Sequence, residues 1–460
     1  MSTARIGSLR PNQLLPIIFE GEMIMDFRKV VKSLDEAGKV VHVKTEVNLE
    51  HELAGVARKF EGKEVVVFDK IKGSDFPVAV GLWWSRDNLA HVFGAKTKEL
   101  PFLFARAAKR FEQNPIAPVV VENAPCQEVV SLEPNLYEIP APTLALKDGG
   151  PYFSNCVIVA KDPDTGVRNT SIHRLQIKAK DRMGLLLDEG RDLRTYYEKA
   201  EKRGESLEIT INNGVDPAIY VCSIFAGIPI TMDELGIASE LRNGEPVKLS
   251  KSKTVDVEGI AEAQVVIEAE ILPGIREPEG PFGEVSEYYA QKADRWVVKV
   301  KAITRRKNPL IHTLLPGKEV WNSVGLCGEP GIFNTVSKQV GGLKNVYLSH
   351  GGCGFYGAVI QIDPVRKGMA KNAIISTFGA FPPLNMVVAV NSDVDIFDSD
   401  AVMRAMVTRC VPEKDIFIIP GCACHELNPS TNEGFGTRTG FDCTVPLPAS
   451  PKYEKVAFQD

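Results

Sequence analysis

The sequence predicts a mixed α+β and α/β chain in three parts: an N-terminal α/β unit, a strand-rich middle and a second α/β unit. Three observations carry this. Helical and strand periodicities share residues 25–125. Short apolar runs of strand length crowd residues 126–315, with one clear helix among them, which is the pattern of a barrel or split barrel. Helices and strands then alternate over 316–460. A chain of 460 residues is long enough for two or three such units.

The elements follow in order. Residues 26–37 place Phe27, Val30, Val31 and Leu34 on one side at helical spacing, and Gly38 ends the helix. Short strands are expected at 40–43, 64–68 and 78–81, and Pro115, Pro118 and Pro125 punctuate the end of the unit. In the middle, strands are expected at 156–160, 175–179, 207–211 and 219–222, with a helix over 192–202 closed by Gly204. The last unit shows strands at 346–348, 358–362 and 386–390 and helices near 368–377 and 399–408. Gly352-Cys-Gly354-Phe-Tyr-Gly357 has the spacing of a dinucleotide-binding turn, but a strand-like run follows where that turn requires a helix.

Composition narrows the function. A hydrophobic content of 44% with 25% charged residues is that of a soluble globular protein. A net charge of −5 weighs against nucleic acid or an anionic membrane as main partner. No apolar run approaches the roughly 20 residues of a membrane span. Nine scattered cysteines fit a reducing, cytoplasmic setting better than a disulfide framework. Cys422-Ala-Cys424-His425 lacks the second ligand pair of a zinc site and reads as incidental thiols. Residues 1–24 have neither a continuous apolar core nor a small-residue cleavage site, so they read as an N-terminal extension rather than a secretory signal.

The most informative segment is Pro278-Glu-Gly-Pro-Phe-Gly-Glu284. Its glycines and prolines exclude a helix. An apolar, β-rich run over 264–272 precedes it, and residues 295–303 alternate Val298, Val300 and Ala302 with Lys299 and Lys301 behind it. Glu279 and Glu284 are thus pinned on a tight connection between strands, which is how a fold presents an acid/base pair to a pocket. The bland alternative is a solvated turn with two surface glutamates.

That segment resembles the signature loop of the UbiD family of decarboxylases, which use prenylated flavin mononucleotide (prenylated FMN). The resemblance runs from about Met25 to the C-terminal region. Asn169-Thr-Ser-Ile-His-Arg174 is similar to the family's cofactor segment, and Met232-Asp-Glu234-Leu-Gly to the segment with a metal-binding glutamate. The resemblance implies reversible, non-oxidative decarboxylation of an aromatic, heteroaromatic or α,β-unsaturated carboxylic acid through a covalent adduct with the flavin. It implies a catalytic triad of Arg174, Glu279 and Glu284, with Glu284 as proton donor and Arg174 and Glu279 positioning substrate and cofactor. A carboxylate beside an arginine stays ionised while one in an apolar pocket is pushed up, so two such acids can take separate roles.

By the same resemblance, Asn169, Ser171, Ile172, His173 and Arg174 line the flavin, Arg191 meets its phosphate and Ser223 touches it. Arg438, four residues before Asp442, stands where relatives carry a phosphate-binding lysine. The divalent ion is assigned to Asn169, Glu234 and a third ligand. Family members usually have a histidine there, and this chain has Asp192 when Gly204 anchors the register. Asn169, Asp192 and Glu234 form an all-oxygen set suited to Mn²⁺ or Mg²⁺. A nearby K⁺ would offset the added negative charge. Alternatively Asp192 is only the N-cap of the 192–202 helix, with Asp188 or Glu189 as substitutes. His173 reads as a structural histidine facing away from Arg174.

Arg305, Arg306 and His312 are candidates for a second carboxylate or a polar ring substituent. Phe378, Phe381 and Leu384 either cover a flat substrate or belong to the core. The resemblance further implies CO2 as co-product, a flavin prenyltransferase as cofactor supplier, and a homodimer or higher homo-oligomer built on the C-terminal unit. Two other classes stay open: a cofactor-binding scaffold subunit of a carboxylase complex with little activity of its own, and a metal-dependent hydrolase on Asn169, Asp192 and Glu234 that needs no flavin.

Overall fold

The computed structural model describes residues 26–225, 228–432 and 434–456. The extension expected at 1–24 lies outside them. Among the described residues no helix is long and apolar enough to cross a membrane.

The first helix, Phe27–Glu36, is capped by the Asp26 carboxylate, which accepts from the Arg28 and Lys29 amides, and it buries Phe27, Val30, Val31 and Leu34. It packs on a four-stranded sheet ordered Val40–Val43, Val65–Phe68, Val78–Val80, Ile311–His312. Alternation along one strand serves two cores: Val65 and Val67 face the helix side, while Val66 and Phe68 face the barrel side.

The middle of the chain is a closed six-stranded barrel. Its strands run Val265–Glu279, Leu207–Asn213, Tyr152–Lys161, Arg168–Ala179, Arg182–Leu185, Ala293–Arg305, and Val265–Glu279 pairs with the last of these to close the ring. Ile158, Leu175, Met183, Leu185, Ile209, Ile211, Ile267 and Val298 share one core. The helix Asp192–Lys202 adds Leu193, Tyr196, Tyr197 and Ala200 to it.

One element differs in kind from expectation. Residues 219–222 are not a strand but part of the helix Pro217–Cys222. Asp216 caps it through the Ala218 amide at 2.6 Å, with Pro217 in the first turn. All six residues are buried, so the helix carries no apolar stripe to read.

The C-terminal sheet is ordered Leu343–Leu348, Gly357–Ile362, Met386–Val390, Phe435–Asp442, Ile416–Ala423. Ala358, Ile360, Val387 and Ala389 face the helices Lys318–Gln339 and Met369–Ala380, while Val359, Val388 and Val390 face Ser399–Arg409. The 22-residue helix Lys318–Gln339 escapes sequence reading because Gly325, Gly328, Pro330 and Gly331 look like breakers. Gly328 is there for contact: a Cβ would come within 2.8 Å of Leu348 and 3.1 Å of Phe381. Phe378, Phe381 and Leu384 lie in this core and do not line the cavity described below. A strand, Gly357–Ile362, follows the 352–357 glycines, as the exclusion of a dinucleotide turn requires.

Candidate functional site

The acidic segment is held from several sides. Val265–Glu279 extends past the expected 272 because Arg276–Glu279 pair with Trp296–Ala293. The chain then turns at Gly280, whose φ of +92° is costly for any residue with a Cβ. The Gly280 amide donates to Gln176 at 3.1 Å. Asp148 accepts from the Gly283 and Ala145 amides, each at 2.8 Å. Trp321, on the long C-terminal helix, donates its indole N–H to the Val285 carbonyl at 2.7 Å.

This frame places the two acids on one guanidinium. Arg174 donates from Nε and Nη2 to the two oxygens of Glu279 at 3.0 and 2.8 Å, and from Nη1 to Oε1 of Glu284. Tyr152 donates its hydroxyl to Glu279 at 2.9 Å. Burial and the adjacent Glu279 carboxylate push the Tyr152 phenol up, so it remains a donor. The environments of the acids differ: the Glu279 side chain is 0% exposed and that of Glu284 12%. Arg174 also lies over the Phe282 ring, 5.2 Å from its centroid.

A second cluster sits five residues earlier on the same strand. Arg168 bridges Asp233 and Glu258, each at 3.0 Å, and so draws the 232–234 segment onto the barrel. Asn169 Nδ2 then donates to Glu234 at 2.9 Å and the Thr170 amide to its other oxygen at 3.0 Å. Asn169 Oδ1 is buried with no hydrogen-bond partner among the described residues. Burial pushes the Glu234 carboxyl up to about 8, against the hydrogen bonds that pull it down. An acceptor without a donor beside a desolvated carboxylate suits a cation.

Asp192 is not the N-cap. Arg191 occupies that position, and Asp192 opens the first turn with its carboxyl raised by burial. Asp192 makes no hydrogen bond to Asn169 or Glu234, but its charge and that of Glu234 both act on Tyr196, whose phenol is pushed up chiefly by burial. Among the described residues no group of three or more His, Cys, Asp and Glu side chains is placed to hold a metal.

The main cavity holds about 980 Å³ of empty space, part of it open to solvent. Ile172, His173, Arg174, Arg191, Ser223 and Glu284 line it; Asn169, Ser171, Asp192 and Glu234 do not. Ser223 donates to the Ile219 carbonyl at 2.7 Å. His173 donates from Nδ1 to the Leu186 carbonyl at 3.0 Å and accepts from Ser171 at 3.1 Å, partners distinct from those of Arg174. Burial pushes its ring down to about 4, so it stays neutral.

Four basic candidates are elsewhere. Arg438 is not at the cavity: it donates to the Phe378, Pro382 and Ala423 carbonyls. Arg306 donates to Asp26 at 2.5 Å and to the Glu262 and Ala263 carbonyls. Arg305 covers Phe76, and His312 is buried in a stack on Phe27. Sequence reasoning missed Tyr152, Asp148, Phe355 and His425. The first two carry no local pattern, and His425 stands out in the sequence only beside Cys422 and Cys424.

Comparison with known proteins places this geometry. Models of the 3-octaprenyl-4-hydroxybenzoate carboxy-lyase match throughout: the N-terminal domain over residues 31–107, the Rift-related domain over 118–319 and the C-terminal domain over 323–443. The chain is 44% identical over 436 residues to the uncharacterized protein in cooM 5'region of Rhodospirillum rubrum, covering 94% of each. It is 35% identical to the anhydromevalonate phosphate decarboxylase of Methanothermobacter thermautotrophicus, covering 92% of this chain and 98% of that one. The structure of the UbiD-class enzyme HmfF from Pelotomaculum thermopropionicum with FMN superposes with a TM-score of 0.90 at 37% identity, over 94% of this chain and 97% of that one. An evolved dimeric form of HmfF with prFMN gives 0.86 at 36%, over 95% and 97%.

Proposed function

The chain belongs to the UbiD family of carboxy-lyases, and on that premise we propose that it is a reversible, non-oxidative decarboxylase of an aromatic, heteroaromatic or α,β-unsaturated carboxylic acid that works with prenylated FMN. The observation that carries this reading is the network of Arg174, Glu279, Glu284 and Tyr152 at the cavity.

Loss of CO2 from an sp² carbon leaves an electron pair that the acid itself cannot stabilise. Prenylated FMN, when bound, supplies a place for that pair. Ile172, His173 and Ser223 would hold the flavin, with Arg191 on its phosphate, a role a guanidinium suits. Asn169, Asp192 and Glu234 would hold Mn²⁺ or Mg²⁺, with K⁺ offsetting the extra carboxylate. The orphaned Asn169 oxygen and the buried Glu234 support the cation.

The protein's own residues do the rest. Arg174 is fixed by its two bonds to Glu279 and is not free to swing toward solvent. Its third bond takes Oε1 of Glu284, so Oε2, which has no partner among the described residues, is the oxygen that can carry a proton. Glu284 delivers that proton to the carbon CO2 has left, and takes it back in the carboxylation direction. Glu279 keeps Arg174 in place, and Tyr152 keeps Glu279 in place.

The test is production together with a flavin prenyltransferase, then an absorbance spectrum, metal analysis and CO2 release from a panel of unsaturated and aromatic acids. Bound flavin and turnover that disappears in Glu284→Gln support the reading. Normal turnover by that variant overturns the proton-donor assignment. The aspartate at 192, where relatives have a histidine, leaves one alternative to test, a scaffold subunit of a carboxylase complex. In that case the co-produced protein carries no flavin or releases no CO2, and Asp192→His restores activity.

A further inference from the structure

The cavity has two walls of different origin. Arg174, Glu284 and Ser223 belong to the barrel part of the chain, while Phe355, His425 and Leu427 come from the C-terminal unit. Ser323 and His425 are the polar groups on that second wall, and Ser323 already donates to the Val320 carbonyl at 3.1 Å. His425 Nδ1 accepts from the Leu427 amide at 3.2 Å, which leaves the proton on Nε2. Phe355 meets the ring edge-on at 4.9 Å and 86°, and Tyr356 packs against it at 6.1 Å. Nε2 has no hydrogen-bond partner among the described residues and is not a sealed, buried atom. Burial lowers the ring's proton affinity; Arg191 adds to this and Asp188 opposes it. His425 is therefore a neutral N–H donor with nothing to donate to.

Its surroundings limit what it can meet. Ile224, Val324, Phe355 and Leu427 line the cavity with apolar surface. Of the lining cations, Arg174 is engaged by Glu279 and Glu284, and Arg191 is the candidate for the flavin phosphate. Arg305, Arg306 and Arg438 hold other partners.

We infer that His425 sets substrate specificity: its Nε2–H donates to an uncharged acceptor on the substrate body, a hydroxyl, carbonyl or ring heteroatom, and the preferred substrate carries no anion besides the carboxylate that leaves. This rests on the decarboxylase reading. A bound substrate would cover Nε2, and a donor covered without an acceptor is destabilising, so the site disfavours the analogue that lacks one. A second carboxylate or a phosphate would enter an apolar wall with no free cation, which is worse.

The experiment uses the full chain loaded with flavin and metal. Matched acids are compared: cinnamic acid, its 4-hydroxy form and its 4-carboxy form. Readouts are kcat/KM for CO2 release and Kd from the flavin spectrum. The parent should favour the hydroxylated over the unsubstituted acid by about 10-fold or more and disfavour the diacid. His425→Phe should abolish that ratio while handling unsubstituted acid at least as well, and His425→Gln should retain part of it. An unchanged ratio in His425→Phe, or a diacid preferred by the parent, overturns the inference. If no acid releases CO2, the decarboxylase reading fails on its own, and the ratio of Kd values still decides the role of His425.

Discussion

Replacing Arg174 with methionine removes a guanidinium and leaves its apolar stem. Glu279, with no exposed side-chain surface, then loses two bonds of 3.0 and 2.8 Å and keeps only the Tyr152 hydroxyl at 2.9 Å. At that separation and an effective dielectric of about 20, the lost attraction is about 6 kcal/mol before desolvation is counted. Measured cases of a buried pair broken on one side run to about 3–5 kcal/mol. The surviving Tyr152 donor sets the expectation at the lower end, about 3 kcal/mol, or roughly a 5 °C fall in Tm. Calorimetry or denaturant titration of the flavin-free protein measures this without reference to catalysis. The double variant Arg174→Met/Glu279→Met should recover most of the loss, because two apolar groups replace two ions of similar volume, and should still be inactive. A single variant as stable as the parent, or a double variant no better than the single one, would refute the claim that Arg174 is what holds Glu279 in the barrel wall.

Four further outcomes are expected. Glu284→Gln should lower kcat by about 10²- to 10⁴-fold with flavin content and Tm nearly unchanged, since its side chain keeps some exposure; a large drop in Tm would make Glu284 a structural residue. In the metal-free protein the Glu234 carboxyl is raised from 4.5 to about 8, so the stability this permits is full below pH 4.5 and is lost as pH rises through 8. Divalent metal should reverse that loss and release close to one proton at about pH 7, which calorimetry in two buffers reads and Glu234→Gln abolishes. Asp192→Asn should weaken metal retention by roughly 10-fold, and unchanged retention would transfer the role to another side chain such as Asp188. Arg438→Gln should cost about 1–2 kcal/mol, since its donors go to three carbonyls, and leave flavin content intact; lost flavin would return Arg438 to the phosphate.

Local pattern carried much of the fold. Asp192–Lys202 and Met386–Val390 coincide with expectation because each has clear edges, a glycine after the helix and polar residues around the strand. The barrel was legible as a run of strands, but its closure was not, since the pairing of 265–279 with both neighbours is a long-range fact. Pro217–Cys222 and Lys318–Gln339 were lost for one reason. Helices buried on most sides, or dotted with glycine for close packing, have no amphipathic signal. At the site, Arg174, Glu279 and Glu284 were readable because they lie in distinctive short motifs, and the structure joins them. Tyr152 and His425 become visible only when remote strands meet. Arg438 shows the converse: the family resemblance named it, and its carbonyl partners were not visible in the sequence.

The division of the cavity between two parts of the chain has a consequence for how such enzymes change. The network on Arg174 is assembled by the barrel, while His425, Phe355 and Leu427 arrive on the C-terminal unit. On the roles proposed above, selectivity and chemistry are written in different stretches of sequence. A chimera that exchanges residues 318–456 between relatives would transplant the selecting wall and leave the proton-delivering one behind. The seam such a graft must respect is broad: Trp321 bonds Val285, Arg86 bonds Glu329 at 2.6 Å, Glu319 accepts from the Gly81 and Trp83 amides, Asn322 donates to the Trp84 carbonyl, and Leu326 and Cys327 pack in the core of the N-terminal unit. Recombination that preserves those joints lets a lineage explore new acids without reinventing the reaction.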